Sequence, residues 1–489
     1  MDAMTRAAVV GSGPNGLAAA LTLAEAGVQV TVLEAADVPG GGTRSVEATL
    51  PGLLHDECSG FHPFAVDNAF SRRFDLSRYG LRWSWPEVQY AHPLDDAAPD
   101  GGAAVRRSVD ETADRLGRDG ASYRRTFGPL TNRFGDVADE FLRPVLHPPR
   151  HPFSLARFGL HAALPATALG RRFVTEEARA LWGGVAAHAF RPLGTPFSST
   201  LGLALGVAAH RFGWPVAVGG SASITSAMAR ALEDRGGKIV TGVRVKDAEE
   251  LADYDLAMLD TSPAAAADIL RSVQLRRVNR AYRRYRHGPG AFQVAFAVQD
   301  GIPWAYSQAR RAGTVHVAGS MAEMVEAERD CARGRMPRRP FVLLGQQYLA
   351  DPGRSNGDLH PIDCYAHVPA GYAGDATETI IAQIERFAPG FRERIVGVAV
   401  RSTARIAADD ANFVGGDILT GANTARQLVF RPRMTLHPYD AGAPGAYLCS
   451  AAAPPGPGAH GMAGFCAATR ALGSLSGPPL DGPAADHLG

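Results

Sequence analysis

The sequence predicts an α/β fold: a parallel sheet layered with helices, carrying an inserted α+β region and a helical lid. Three observations predict it. The chain opens as strand, glycine turn, helix and strand over residues 7–34. A turn-helix-turn-strand unit follows at 216–245, with an apolar strand at 256–260. Near the end, 445–472 reads as strand, glycine-rich loop and helix. A chain of 489 residues suffices for two or three domains at roughly 100–200 residues each.

Ala7–Val10 is a short apolar run, as expected of a strand buried on both faces. Gly11-Ser12-Gly13-Pro14-Asn15-Gly16 then matches G-x-G-x-x-G. Residues 17–25 are rich in Ala and Leu, good helix formers, and Gly27 closes that helix. Residues 28–33 are rich in β-branched side chains and form the second strand, which Glu34 ends. Gly11 permits a tight turn, Gly13 lets the backbone approach a pyrophosphate, and Gly16 lets the helix pack close to the strand. Pro14 and Asn15 open the helix, whose unpaired N–H groups would face the pyrophosphate. Glu34 lies 23 residues beyond Gly11, where a carboxylate can accept hydrogen bonds from an adenosine ribose. Together these make a Rossmann-type dinucleotide-binding unit.

The segment after Glu34 selects the dinucleotide. It begins with Ala35 and contains a second glycine turn, Gly40-Gly41-Gly42-Thr43-Arg44. NAD has no general need of one. A flavin dinucleotide runs onward past its pyrophosphate, and this turn would wrap that far side, with Arg44 adding charge to the phosphates. The expected cofactor is therefore FAD. Further along, residues 238–245 read as a strand, and Val245 either touches adenine through its backbone or is a plain core valine. The loop between the last strand and last helix contains Gly458, His460, Gly461 and Met462. There the Met462 N–H could bond the flavin O2, at the positive end of a helix. His460 is the candidate catalytic group, a base or charge-tuner near the flavin; the alternative is a hydrogen-bonded structural histidine.

Composition excludes several classes. Lys and Arg number 50, Asp and Glu 49, for a net charge of +1. That balance lacks the concentrated basic face that nucleic acid requires. The five cysteines form no C-x-x-C pair, which argues for reduced thiols and against a dithiol redox centre. His62, His188, His210 and His367 are scattered, with no pair at helix-face metal spacing, so no metal site is expected. The longest apolar candidate, 201–209, is about half a membrane span. No basic and apolar leader fits before the first strand, so the expectation is a cytoplasmic chain with at most a peripheral membrane contact. Residues 158–173, apolar with Arg157, Arg171 and Arg172 at the ends, are either such a contact or a lid helix.

The stretches VVGSGPNGL, VLEAADVPGGGTRS, GWPVAVGGSASITSAMARALEDRGGKIVTGVRV, NFVGGDI and YLCSAAAPPGPGAHGMAG, with weaker CSGFHPFA and HVPAG, resemble the FAD-dependent phytoene desaturase and amine oxidase superfamily. The phytoene-dehydrogenase-like branch is the nearest in look. The resemblance covers nearly the whole chain. It implies a glutathione-reductase-like FAD domain, discontinuous over 1–75, 214–275 and 402–489. It also implies a helical lid over 76–213 and a substrate-binding sheet over 276–401. Gly11, Gly13, Gly16, Glu34, Gly42, Arg44, Val245 and Met462 would contact FAD. Two departures stand out. The strand at 291–298 usually carries a lysine and an acid on one face, where this chain has Gln293, Ala295 and Ala297. Pro457 replaces a usual glycine.

These readings lead to an FAD-dependent oxidoreductase that moves a hydride from a small or lipid-like, hydrophobic substrate to flavin N5, forming C=C or C=N. Phe292, Phe296 and Trp304 are the expected pocket wall. With one dinucleotide fingerprint present, oxygen or a quinone is the expected electron acceptor. The competing readings are an amine oxidase, a redox-neutral isomerase, and a non-catalytic binding protein of the escort type.

Overall fold

The computed structural model describes residues 4–95 and 100–475. Residues 1–3 and 476–489 of the expected FAD-binding segments, and 96–99 of the expected lid, lie outside the described residues.

The opening strand, Arg6–Val10, is buried from Ala7 onward, which its apolar run requires. It sits at the centre of a five-stranded parallel sheet. The order across the sheet is Ala446–Leu448, Leu256–Leu259, Arg6–Val10, Gln29–Leu33 and Lys238–Val240. All three sequence segments that predicted the fold therefore meet in one sheet. The last of these strands is shorter than expected. It stops at Val240 because Gly242 turns the chain at a φ of 73°, and Val243 donates its N–H to the Glu34 carbonyl at 2.8 Å.

The first helix, Pro14–Glu25, buries every residue from Asn15 to Leu23. Such a helix is apolar all round because it is covered on all sides. It packs on the sheet, on the helix Ala222–Glu233 and on the last helix, Met462–Leu475. The contact with the last helix is backbone on backbone. A Cβ at Gly464 would stand 1.8 Å from the carbonyl oxygen of Asn15, so only glycine fits.

The second sheet has seven strands: Ile395–Arg401, Gly290–Gln299, Leu359–Val368, Val342–Gly345, Ala312–Val317, Val88–Pro93 and Gly102–Val105. Only the pairing of Ala312–Val317 with Val88–Pro93 is parallel. Val88–Pro93 and Gly102–Val105 come from the segment read as mostly helical, and they extend this sheet at one edge. Strand Gly290–Gln299 is buried along one face, and Gln293 and Ala295 on the other are only partly covered. Phe292, Val294, Phe296 and Val298 share a buried cluster with Trp304, Ile380, Ile384 and Phe391, on and after the helix Thr377–Glu385. That corrects the expected pocket wall. Phe292, Phe296 and Trp304 fill a sheet-on-helix core, because the wholly apolar face of a strand is the one a covering helix takes. The other face turns toward the parallel-sheet half, where Gln293 Nε2 donates to the Glu57 carbonyl at 2.7 Å.

Helices including Gly120–Thr131, Glu176–Ala187 and Ser199–Arg211 build a further core with Tyr90, Trp214 and Phe341. In the stretch read as a single lid or membrane helix the chain forms two helices, Pro152–Ala162 and Ala166–Gly170. Phe153 and Leu160 on the first are exposed. Among the described residues no helix is long and apolar enough to cross a membrane.

One ion cluster ties the two sheets together. Arg354, fully buried, donates to Asp56 Oδ2 at 2.6 Å, to Asp351 Oδ2 at 3.1 Å and to the Ala217 carbonyl at 3.0 Å. Asp56 also accepts from Ser45 and from the Ser221 N–H, and Asp351 accepts from the Gly219 N–H. A buried charge is tolerated only when paired in this way. Arg354→Met leaves Asp56 and Asp351 uncompensated, so it should lower the unfolding free energy by roughly 3–5 kcal/mol. Urea denaturation followed by circular dichroism measures that loss.

Candidate functional site

Where the parallel sheet, the seven-stranded sheet and the helical layer meet, they enclose one continuous cavity of about 550 Å³. That is within the usual range for a ligand site. At one end lie Gly11, Gly13, Pro14, Asn15, Glu34 and Ala35, with Gly41, Gly42, Thr43 and Arg44 beside them. Val245 lines the same end, and Gly458 and His460 join it from the last loop. These residues come from segments far apart in sequence. The sheet order brings them together at the carboxyl ends of the strands, where open α/β sheets bind ligands.

Three predicted residues lie outside the lining. Gly16 packs inward: a Cβ there would stand 2.2 Å from the Gly11 carbonyl oxygen, so its task is close packing of helix on strand. Gly461 packs on Ala18 and Phe70. Met462 is buried, and its N–H, expected to point at a flavin oxygen, donates instead to His460 Nδ1 at 3.1 Å. His460 is correspondingly constrained. One ring nitrogen accepts from Met462, the Pro457 carbonyl acts on the ring as a hydrogen-bond acceptor, and burial pushes its pKa down to about 4. A neutral imidazole engaged at the helix start is the structural alternative weighed from the sequence. It reflects a general preference of short polar turns for satisfying first-turn N–H groups locally.

Glu34 accepts from the Ser12 N–H and Oγ at 2.8 and 2.6 Å, and from the Ala36 N–H at 2.8 Å. The carboxylate is thereby fixed at the strand end, as an adenosine-ribose acceptor requires. Arg44 is placed differently from expectation. Its Nε donates to Glu57 at 2.8 Å and its guanidinium also donates to the Asp409 carbonyl at 2.7 Å. Its charge is thus largely matched by Glu57 within the protein. Asp260 went unremarked in the sequence although it ends an apolar strand. Its Oδ2 accepts the Gly16 N–H at 2.9 Å. Asp410 and Asn412 also line this end, within and beside NFVGGDI.

The far end of the cavity is a different environment. Phe61, Phe64, Leu201, Leu205, Trp214 and Leu343 supply apolar walls, and His62, His188, Thr314 and Tyr365 supply the polar atoms. Every carboxylate lining the cavity belongs to the nucleotide end: Glu34, Asp260, Asp409 and Asp410. Burial pushes the pKa of His62 to about 4 and that of His188 to about 3, so both are neutral. His188 Nε2 lies 2.9 Å from Nε2 of the fully buried His316. His92 Nε2 bonds the Gly319 carbonyl at 2.6 Å, which fixes the proton on that nitrogen. Gly184 leaves room for both rings, since a Cβ there would meet His316 Nδ1 at 2.6 Å and His92 Nδ1 at 2.7 Å. Sequence reasoning noted His62 and His188 only as scattered and passed over His92 and His316. Nothing in their spacing reveals that a helix end and two sheet strands bring them together. Among the described residues no group of three or more His, Cys, Asp or Glu is placed to hold a metal.

Residues 9–75 match the family model described as an NAD(P)-binding Rossmann-like domain. Hydroxyneurosporene desaturase of Cereibacter sphaeroides is 29% identical over 253 residues, covering 48% of this chain and 49% of that protein. Phytoene desaturase (neurosporene-forming) of the same organism is 27% identical over 281 residues, covering 50% and 47%. The chain thus spans about half the length of the curated relatives it matches. A solved putrescine oxidase variant, from work on cofactor binding, superposes with a TM-score of 0.59 at 16% identity, over 97% of this chain and 99% of that one. Over about half its length the chain is thus similar to carotenoid desaturases, and it shares the fold of the solved putrescine oxidase.

FAD is the cofactor that the two glycine turns lead one to expect. The residues present fit it. Asn15 lines the cradle with its side-chain oxygen buried and unpartnered, and the amide can turn to present donors. Gly13 is needed as glycine, because a Cβ there would stand 2.7 Å from Asp260 Oδ2. In Glu34→Gln the new amide N–H₂ opposes the Ser12 or Ala36 N–H. A charge-assisted bond of this type is worth roughly 1.5–3 kcal/mol. The variant should bind FAD about 10- to 100-fold more weakly, read from quenching of flavin fluorescence on titration.

Proposed function

We propose that this chain is a member of the phytoene desaturase and amine oxidase superfamily, an FAD-dependent oxidoreductase acting on a small or lipid-like, neutral and apolar substrate. The observation that carries this reading is the single cavity, which runs without interruption from the glycine cradle into an uncharged, largely apolar chamber. The desaturases that the chain is similar to are named for hydroxyneurosporene and phytoene, long polyenes that suit an apolar chamber. The chamber lacks what an ammonium would need. No carboxylate lines it, and its histidines are held neutral, so the amine oxidase reading has less support than the desaturase one.

FAD held there would supply a two-electron acceptor for a hydride leaving a substrate carbon, with a proton lost from the neighbouring atom as a C=C or C=N bond forms. The chain's own residues then have three tasks. Glu34 and the turns at Gly11–Asn15 and Gly41–Thr43 hold the dinucleotide. Phe61, Leu205 and Trp214 exclude water and orient an apolar chain against the flavin end of the cavity. His188 takes the proton. Its Nδ1 has no partner among the described residues, while its Nε2 shares a proton with His316, so uptake at Nδ1 can be relayed inward. This assigns to His188 the role expected of His460, whose ring is already engaged by Met462.

The test is direct. The purified protein should be yellow and bleach when mixed without oxygen with apolar polyene or isoprenoid substrates, and simple amines should leave it oxidised. Admitting air to dithionite-reduced protein distinguishes oxygen from quinone as acceptor by fast or slow return of colour. His188→Gln should slow bleaching by roughly 10²- to 10⁴-fold, the usual contribution of a positioned acid or base. Bleaching by amines alone would replace this reading with the amine oxidase one.

A further inference from the structure

The nucleotide end of the cavity is crowded with negative charge. Asp260 follows the strand Leu256–Leu259 and is anchored on both sides. Its N–H donates to the Val10 carbonyl at 2.9 Å, and its own carbonyl accepts from Asn412 Nδ2 at 3.0 Å. Its backbone is thereby fixed, and its carboxyl group, held by the Gly16 N–H, rests in the glycine turn. Oδ2 is 2.9 Å from the Gly16 nitrogen, and a Cβ at Gly13 or Gly16 would stand 2.7 or 2.8 Å from it. The group is 7% exposed and lines the cavity at the amino end of the first helix, where the diphosphate of FAD belongs.

Arg44 and Arg244 also line this end of the cavity, and Arg44 acts on Asp410, but no cation acts on Asp260 itself. Glu34 faces it from the end of strand Gln29–Leu33, and Asp410 from beyond the helix Thr403–Asp409. Cys449 faces it from the end of strand Ala446–Leu448, with a neutral thiol. The first helix contributes only backbone N–H groups from Gly16 and Gly13. Arg44, the nearby cation of the second glycine turn, is paired with Glu57. Burial, aided by Asp410 and Glu34, raises the Asp260 pKa to about 7. Burial also raises that of Asp410.

Resting on the assignment of FAD to this cavity, we propose that Asp260 is the protonated partner of the cofactor diphosphate, so that FAD binding takes up a proton at this carboxyl group. The neutral acid would donate its O–H to a diphosphate oxygen. An ionised Asp260 would instead set a third fixed charge against two on the ligand. The diphosphate diester does not itself titrate near neutrality, so the pH dependence belongs to the protein. The sign follows. Below about pH 7 Asp260 is already protonated and affinity is level. Above it, each binding event must draw a proton from solution, and affinity falls.

The experiment titrates FAD into the full-length chain stripped of flavin, at pH 6 and pH 8.5, reading flavin fluorescence. Calorimetry in Hepes and in Tris at pH 8 counts the protons taken up. For the wild type, Kd should rise toward tenfold per pH unit above about 7, with close to one proton absorbed at pH 8. Asp260→Asn keeps an acceptor for Gly16. It should bind with a Kd constant within about twofold across the range, tighter than wild type at pH 8.5, and absorb no proton. Asp410→Asn should retain the slope, which separates the two acids. A wild-type Kd independent of pH, or a slope that survives in Asp260→Asn, overturns the proposal while leaving the cofactor in place. Absence of FAD binding at either pH overturns the cofactor assignment and this inference with it. If Asp260→Asn does not fold, the wild-type proton count decides alone.

Discussion

The contact between the first and last helices is the constraint on which the site depends. With Gly464 against the carbonyl of Asn15, the two ends of the described chain lie backbone to backbone. The glycine turn of the opening strand and the loop at Gly458–His460 then fall on one side of the same sheet. Any side chain at Gly464 would push the last helix outward and carry that loop away from the cradle. The buried Arg354 cluster performs the complementary task, locking the seven-stranded sheet onto the parallel one. Without either restraint the chamber and the cradle would be two clefts and not one cavity. For hydride transfer that continuity matters, because reacting atoms must be held in near contact.

The electrostatics divide the cavity sharply. Its nucleotide end gathers four carboxylates; Asp409 is paired with Arg401 and Arg405, and Arg44 is already paired with Glu57. A site for an anionic ligand built this way looks self-defeating until the helix amino end and the proton are counted. Backbone N–H groups from the first helix oppose the charge of Asp260, and a carboxyl group that titrates near neutrality can shed its charge as the ligand arrives. The opposite end carries no charge at all. A low-dielectric chamber of this sort strengthens any polar contact made within it, which suits a flavin ring that must be oriented by few groups.

Much of this was legible in the chain. The strand-turn-helix-strand opening, the second glycine turn and the terminal loop were each visible because their chemistry is local. A glycine that must approach a phosphate, or an acid at a strand end, is recognisable from neighbours a few residues away. The same locality explains the failures. Phe292 and Phe296 looked like a pocket wall because alternation reveals that a face is buried, not which layer buries it. The last two strands of the seven-stranded sheet, Val88–Pro93 and Gly102–Val105, were missed because a short strand next to a helical stretch carries little periodicity of its own. His460 drew attention as the ionisable group in a glycine loop. Whether its nitrogens were engaged depended on the turn it closes, down to the N–H of Met462.

The histidines of the chamber show most clearly what a sequence withholds. His92 and His316 lie on adjacent parallel strands, and His188 lies just past a helix that crosses over them. Their separation along the chain is large, and none belongs to a motif. What joins them is the small residue between, Gly184, which leaves the space that two unpartnered imidazole nitrogens occupy. Because His92 must keep its proton for the Gly319 carbonyl, its other nitrogen is an acceptor. The proton shared by His188 and His316 then decides which nitrogen faces the chamber as a base. With that proton on His188 Nε2, Nδ1 is the open acceptor, and the buried N–H of His316 points toward the His92 ring. The arrangement is held by burial and not by charge, so a base survives in a chamber that remains neutral, the condition under which an apolar substrate and a proton acceptor can share one space.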